Sequence, residues 1–115
     1  MNSRNILEHL IGFATVSRDS NLHLILFIQE YLRNLGVQSE IFHNQVGNKA
    51  SLFATIGDND RGGVMLSGHT DVVPVDGQAW TVDPFHLVEE NRRLYGRGTA
   101  DMKGYIASVL AAVPF

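Results

Sequence analysis

Apolar residues Ile6, Leu7, Leu10, Ile11 and Ala14 recur at helical spacing and predict an amphipathic helix from about Ser3 to Thr15. Ser17 to Asn21 is polar and reads as a turn, with Ser20 or Asn21 able to cap the helix that follows. That helix is expected over Leu22–Leu35, with Leu22, Ile25, Leu26, Leu32 and Leu35 on one face and Gly36 as its left-handed stop. The period then shortens. Ser39–His43 and Ser51–Ile56 are β-like runs around a Gly47-Asn48 turn signal. After a polar turn over Gly57–Gly63, Val64, Met65 and Leu66 form a near-continuous apolar run, the pattern of a strand covered on both faces. A loop follows with Pro74, Asp76-Gly77 and Asp83-Pro84. His86–Glu89 and Arg93–Tyr95 suit a hairpin, with Glu89-Glu90 as a charge cluster at its end. Gly96 and Gly98 break the chain before a last helix, expected to begin at Asp101 or Met102 and run through Ala111-Ala112. Helices, then strands, then a helix predict an α/β layered domain, a mixed β-sheet flanked by helices.

Composition narrows the classes. With 115 residues, 44% of them hydrophobic and 18% charged, the chain has enough apolar surface for one core and is not of disordered type. The net charge of −3, with basic residues scattered, gives no footprint for nucleic acid. The absence of cysteine excludes disulfides, thiolate zinc sites and a thiol nucleophile. Arg4, Glu8 and His9 interrupt the first ten residues, which do not read as a signal peptide. The longest apolar stretch, Leu22 to Ile28, is too short to span a membrane. The expectation is a cytoplasmic protein with no membrane partner.

Three side chains are placed for chemistry. His69 and Asp71 follow the apolar run as His-Thr-Asp, and in an extended chain residues two apart project to one face. A carboxylate there can hold one imidazole nitrogen and leave the other for a metal. The spacing alone is equally that of a loop histidine beside a turn aspartate. Asp101 follows Gly96-Arg97-Gly98 at the start of an apolar helical pattern. It suits a helix N-cap, and its two carboxylate oxygens also suit bridging a pair of metal ions.

The stretch Ser67-Gly68-His69-Thr70-Asp71-Val72-Val73-Pro74-Val75-Asp76-Gly77-Gln78, then Trp80 and Asp83-Pro84-Phe85, then Leu94 through Gly104 with Gly96-Arg97-Gly98 and Asp101-Met102-Lys103-Gly104, resembles the M20 metallopeptidase family. Thr15-Val16-Ser17-Arg18, Ser20-Asn21-Leu22 and Asn48-Lys49-Ala50 also resemble it, so the likeness runs along nearly the whole chain. The resemblance implies a zinc-peptidase-like catalytic domain, of which residues 1–115 are the N-terminal part. It implies two zinc ions, with cobalt able to replace them, and a small-molecule N-acyl amino acid as substrate. His69 then binds one metal, Asp71 orients His69, Asp101 bridges both metals, and the Asp101–Met102 peptide bond is cis.

The sequence also departs from the family pattern. A Glu-Glu pair is expected after the bridging aspartate, with the general base as its first member, and no residue here matches it; Glu89-Glu90 precedes Asp101. The remaining ligands and the smaller dimerisation domain are likewise unmatched. The expectation is a homodimer for a complete protein, and self-association with no turnover for these residues alone. A non-catalytic interaction module is the competing reading. Trp80, Pro84 and Phe85 suit either a substrate entrance or loop packing. Arg97 suits a substrate carboxylate or a structural salt bridge, and Lys103 suits pairing with Asp101 or facing solvent. His9, His23, His43 and His86 lie outside the matching blocks and read as non-ligands.

Overall fold

A computed structural model describes Met1–Phe115. Its elements are α1 (Ser3–Gly12), α2 (Leu22–Asn34), β1 (Ser39–His43), β2 (Ala50–Ala54), β3 (Val88–Glu90), β4 (Arg93–Tyr95) and α3 (Lys103–Ala112). Helix α1 starts at an Asn2 side chain that accepts the Asn5 N–H at 2.9 Å. It ends three residues before the expected Thr15, because Val16 is drawn into a parallel bridge with Val72 and the segment before it extends. Helix α2 closes on Gly36, at φ +78°, with the Val37 N–H on the Leu32 carbonyl and the Gly36 N–H on that of Arg33. This double closure in the left-handed region is what glycine supplies there.

Strands β1 and β2 pair antiparallel from Ser39↔Ala54 to His43↔Ala50. Strands β3 and β4 form the expected hairpin, turned by Asn91 and Arg92, both at positive φ. The α/β expectation holds. Both pairing senses are present, the antiparallel one in two separate two-stranded ladders and the parallel one in the Val16–Val72 bridge. The core joins Ile6, Leu10 and Ile11 of α1, Leu24, Ile25 and Ile28 of α2, and Ala107 and Leu110 of α3. Tyr31 ties the second helix to the third through a 3.0 Å hydrogen bond to the Leu110 carbonyl.

One expected strand is missing. Val64, Met65 and Leu66 are unpaired, and they stand 88%, 76% and 62% exposed. An apolar run becomes a strand only beside another backbone that accepts its hydrogen bonds. Here the run lies outside both two-stranded ladders, and no backbone pairs with it.

Candidate functional site

The segment after the exposed run is held from below. Thr15 Oγ1 donates to the Thr70 carbonyl at 2.6 Å, and the Val72 N–H donates to the Thr15 carbonyl at 3.0 Å. The Ser17 N–H returns a bond to the Val72 carbonyl, also at 3.0 Å. Asn21 sits at the N-cap position of α2 without capping it; Ser20 Oγ takes the Leu22 N–H instead. The freed Asn21 amide receives the Ala50 N–H at 2.9 Å and donates to the Ala50 carbonyl at 2.8 Å and to Thr70 Oγ1 at 2.9 Å. A buried amide with its donors and acceptor used is a rigid brace, since leaving any of them unmade is costly. Thus the α1–α2 connection fixes the strand-like piece that carries His69 and Asp71.

The second wall is the turn into α3. Gly98, at φ +98°, leaves no room for a side chain: a Cβ would meet Val72 Cγ1 at 2.9 Å and Lys103 Cδ at 3.2 Å. The Lys103 N–H closes the turn on the Gly98 carbonyl at 2.8 Å. The Asp101–Met102 peptide bond is cis. Met102 reaches back to the first wall, its Sδ taking the His69 N–H at 3.3 Å.

Lys103 overturns both of its expected roles. It neither pairs with Asp101 nor faces solvent, but is 0% exposed and donates from Nζ to the Leu10 and Phe13 carbonyls, each at 2.7 Å. Those carbonyls lie at the C-terminal end of α1, where the helix leaves acceptors unpaired and its dipole favours a cation. Burial nonetheless pushes its pKa down to about 8.

Between the two walls, His69 Nε2 and Asp101 Oδ1 approach to 2.9 Å from positions 32 residues apart. On the other side of the ring, Nδ1 lies 2.9 Å from the Asp71 backbone carbonyl and 3.3 Å from its carboxylate. The carbonyl obliges Nδ1 to carry a hydrogen, which leaves Nε2 for the ligand or proton it shares with Asp101. The backbone of Asp71 is therefore the nearer holder of the ring, and its carboxylate is engaged by the Ser17 hydroxyl. The His69 pKa is raised above its usual value, chiefly by the Asp71 carbonyl and against some desolvation, with Asp101 adding to the rise. That of Asp71 is lowered, first by the Ser17 hydrogen bond. The Asp101 carboxylate is 85% exposed and makes no cap to α3, so its helix-capping alternative is not realised.

The donor chemistry suits a divalent metal. An imidazole nitrogen and a carboxylate oxygen bound at about 2.0–2.2 Å sit roughly 3.3 Å apart in a tetrahedral site, so the observed pair needs to open only slightly. No group of three or more His, Cys, Asp or Glu converges anywhere in the chain, so the fit is to part of a ligand set.

The remaining candidates disperse. Arg97 forms no salt bridge; its guanidinium lies over Trp80, 5.1 Å from the ring centroid, and Nη2 donates to Gln78 Oε1. Asp76 turns the chain beside Gly77 and pairs with Arg18 at 2.9 Å, which lowers the Asp76 pKa. Glu89 pairs with Arg4 at 2.9 Å, and the His9 ring stacks on Phe27 at 5.1 Å. Ser17, Thr15, Asn21 and Thr70 were assigned no role in the site by sequence reasoning. The available signal was their place within polar turns of the family-like stretch.

Residues 65–114 match the model of Peptidase family M20/M25/M40. This stretch matches that peptidase family, and the chain is similar to the following relatives over most of its length. An acetylornithine deacetylase of Buchnera aphidicola subsp. Schizaphis graminum is 41% identical over 114 residues, covering 94% of this chain and 30% of the relative. Acetylornithine deacetylase of Yersinia pestis is 46% identical over 99 residues, covering 82% of this chain and 25% of its own length. The crystal structure of human carnosine dipeptidase 1 superposes with a TM-score of 0.80 at 25% identity, over 96% of this chain and 27% of that one. The chain thus spans only 25% to 30% of the length of these curated relatives.

Proposed function

We propose that the chain forms the N-terminal part of the catalytic domain of a two-metal amidohydrolase that converts N-acetyl-L-ornithine to L-ornithine and acetate, a step of arginine biosynthesis. The observation that carries this reading is the meeting of His69 Nε2 and Asp101 Oδ1 at 2.9 Å, in a chain 41% to 46% identical to acetylornithine deacetylases. His69 and Asp101 would hold zinc, with cobalt as a substitute. Bound there, the metal supplies a water acidified to a pKa of about 7 and a Lewis acid for the amide carbonyl.

The chain's own contribution is positional. The Asp71 carbonyl keeps the Nδ1 hydrogen in place, so Nε2 presents its lone pair on the side of Asp101. Ser17 holds the Asp71 carboxylate, and Met102 ties the His69 backbone to the turn that carries Asp101. A general base must take the proton of the attacking water and return it to the leaving amine. The acidic side chains lining the pocket beside His69 are Asp71 and Asp101, both already committed. Catalytic zinc sites use three protein ligands. The 115 residues alone therefore bind metal weakly and turn over nothing. The complete protein is proposed to be a cytoplasmic homodimer; no helix here is long and apolar enough to cross a membrane.

The test is a chimera in which this segment replaces the matching residues of the Yersinia pestis acetylornithine deacetylase. With zinc or cobalt present, the chimera is expected to hydrolyse N-acetyl-L-ornithine, and His69→Ala or Asp101→Asn within the segment to reduce kcat at least a hundredfold. A folded, metal-loaded chimera whose rate is unaffected by either substitution would overturn the assignment. Release of a longer acyl group in preference to acetate would move the substrate to that of a succinyl-diaminopimelate desuccinylase or an aminoacylase.

A further inference from the structure

Thr15 is 3% exposed, and both of its oxygens are spent on the segment that carries His69. Its hydroxyl donates to the Thr70 carbonyl at 2.6 Å, and its own carbonyl accepts the Val72 N–H at 3.0 Å. These two contacts fall on either side of Asp71. Peptide units are planar, so the backbone at Asp71 keeps two soft dihedrals, one toward each neighbouring plane. Thr15 holds both planes, the first by the Thr70 carbonyl and the second by the Val72 N–H. No other group of the chain donates to the Thr70 carbonyl. The second plane also contains the Asp71 carbonyl. Its bond is trans, the cis bond of the chain lying at Asp101–Met102, so that carbonyl points away from Thr15. It meets His69 Nδ1 at 2.9 Å. The Asp71 carboxylate stands farther from Nδ1, at 3.3 Å, and is held by Ser17.

The direction of that plane bears on where the ring keeps its hydrogen. A neutral imidazole carries one N–H. Two acceptors compete for it, the Asp71 carbonyl at Nδ1 and the Asp101 carboxylate at Nε2, each at 2.9 Å. The ionised acceptor is intrinsically the stronger, but the Asp101 side chain is 85% exposed, where water weakens the attraction. The carbonyl is already aligned and gives up no freedom in making its bond. A metal at His69 needs the Nε2 lone pair, hence the hydrogen on Nδ1. We infer that Thr15 is a positioning residue for His69: by holding both peptide planes at Asp71 it aims the Asp71 carbonyl at Nδ1 and keeps Nε2 open for the metal. This role rests on the metal-pair reading above and deepens it, adding a residue that acts through the backbone of Asp71. The hydroxyl is the half of the grip that a substitution can remove.

The 115-residue chain, labelled with nitrogen-15 in its histidines, is read by NMR without metal at about pH 9, where an imidazole is neutral. The His69 ring signals are assigned by their loss in His69→Ala, and the shifts of the two nitrogens report which one bears the hydrogen. The parent is expected to hold it on Nδ1. Thr15→Val keeps the shape and removes the hydroxyl, and the ratio of the Nε2–H to the Nδ1–H form should rise by roughly threefold or more, within the range of one neutral hydrogen bond. Thr15→Ser keeps the hydroxyl and should return the parent pattern. Tyr31→Phe deletes a bond of the same kind elsewhere, from a hydroxyl to the Leu110 carbonyl, and should leave the His69 nitrogens unmoved. Circular dichroism shows that each variant is folded. A parent with its hydrogen on Nε2, an unchanged ratio in folded Thr15→Val, or an equal change in Tyr31→Phe would each overturn the inference. The first of these needs no variant, so it decides the matter even where Thr15→Val does not fold. Neither metal nor substrate is present, so failure here is separate from failure of the chimera to hydrolyse N-acetyl-L-ornithine.

Discussion

Two neighbouring regions of the chain reverse the usual relation between polarity and burial. In the first, Val64, Met65 and Leu66 stand in solvent, although their sequence is that of an interior strand. In the second, Thr15, Asn21 and Lys103 are buried although all three are polar. The apolar run has no backbone beside it to complete a ladder. Each buried polar residue instead completes hydrogen bonds that the backbone leaves open: Thr15 at the Thr70 carbonyl, Asn21 at both groups of Ala50, and Lys103 at the end of α1. Burial here follows hydrogen-bond satisfaction as much as hydrophobicity. The braced region is the one that carries His69 and Asp101.

The contrast breaks most severely at Gly104. A Cβ there would lie 2.2 Å from the Thr99 carbonyl oxygen, a backbone atom with little freedom to retreat. Gly104→Ala is expected to cost about 3 kcal/mol, read from the urea midpoint, and to separate Asp101 from His69. Asn21→Leu keeps the volume but orphans the buried Ala50 N–H, for an expected loss of about 2 kcal/mol. Hydrogen exchange at the Ala50 amide should accelerate with it; unchanged protection would show that the brace is incidental.

Lys103 gives a pH signature. Its folded pKa of about 8 lies below the ordinary lysine value of 10.5, so between these pH values the unfolded chain binds the extra proton. Stability should therefore rise with pH across that window, by about 3 kcal/mol at most. In Lys103→Met the rise should vanish. Equal slopes in the two proteins would mean that the ammonium is solvated. The smallest effect is expected in the other region: changing Val64, Met65 and Leu66 together to serine should alter stability by less than about 0.5 kcal/mol, while reducing self-association seen by light scattering. A large loss of stability would show that the exposed run packs in solution.

The sequence made the local elements legible because their signals are local. The α2 stop at Gly36 and the β3–β4 hairpin needed only nearby residues, and the hairpin's Asn91-Arg92 turn lies where the pattern put it. His69 and Asp101 were legible through motif likeness, and the structure brings them together. Lys103 was misread because its partners, the Leu10 and Phe13 carbonyls, are backbone atoms some ninety residues away and leave no mark in the sequence pattern. Val64–Leu66 was misread for the opposite reason. Its pattern states what the side chains favour, and pairing depends on which other backbone is present. Asn21 was placed correctly as the residue before α2, but its side chain serves Ala50 and Thr70 in preference to the helix end.

The central claim is that the braced pair, His69 with Asp101, is a metal-holding pair. The most direct measurement is a cobalt titration of the 115-residue chain, followed by NMR of its five histidine rings, in the parent and in Asp101→Asn. The account predicts that the His69 resonances broaden first, at metal concentrations that leave His9, His23, His43 and His86 unaffected, and that this selectivity disappears in the variant. Broadening of all five rings together, or selective loss at His69 that persists in Asp101→Asn, would contradict it.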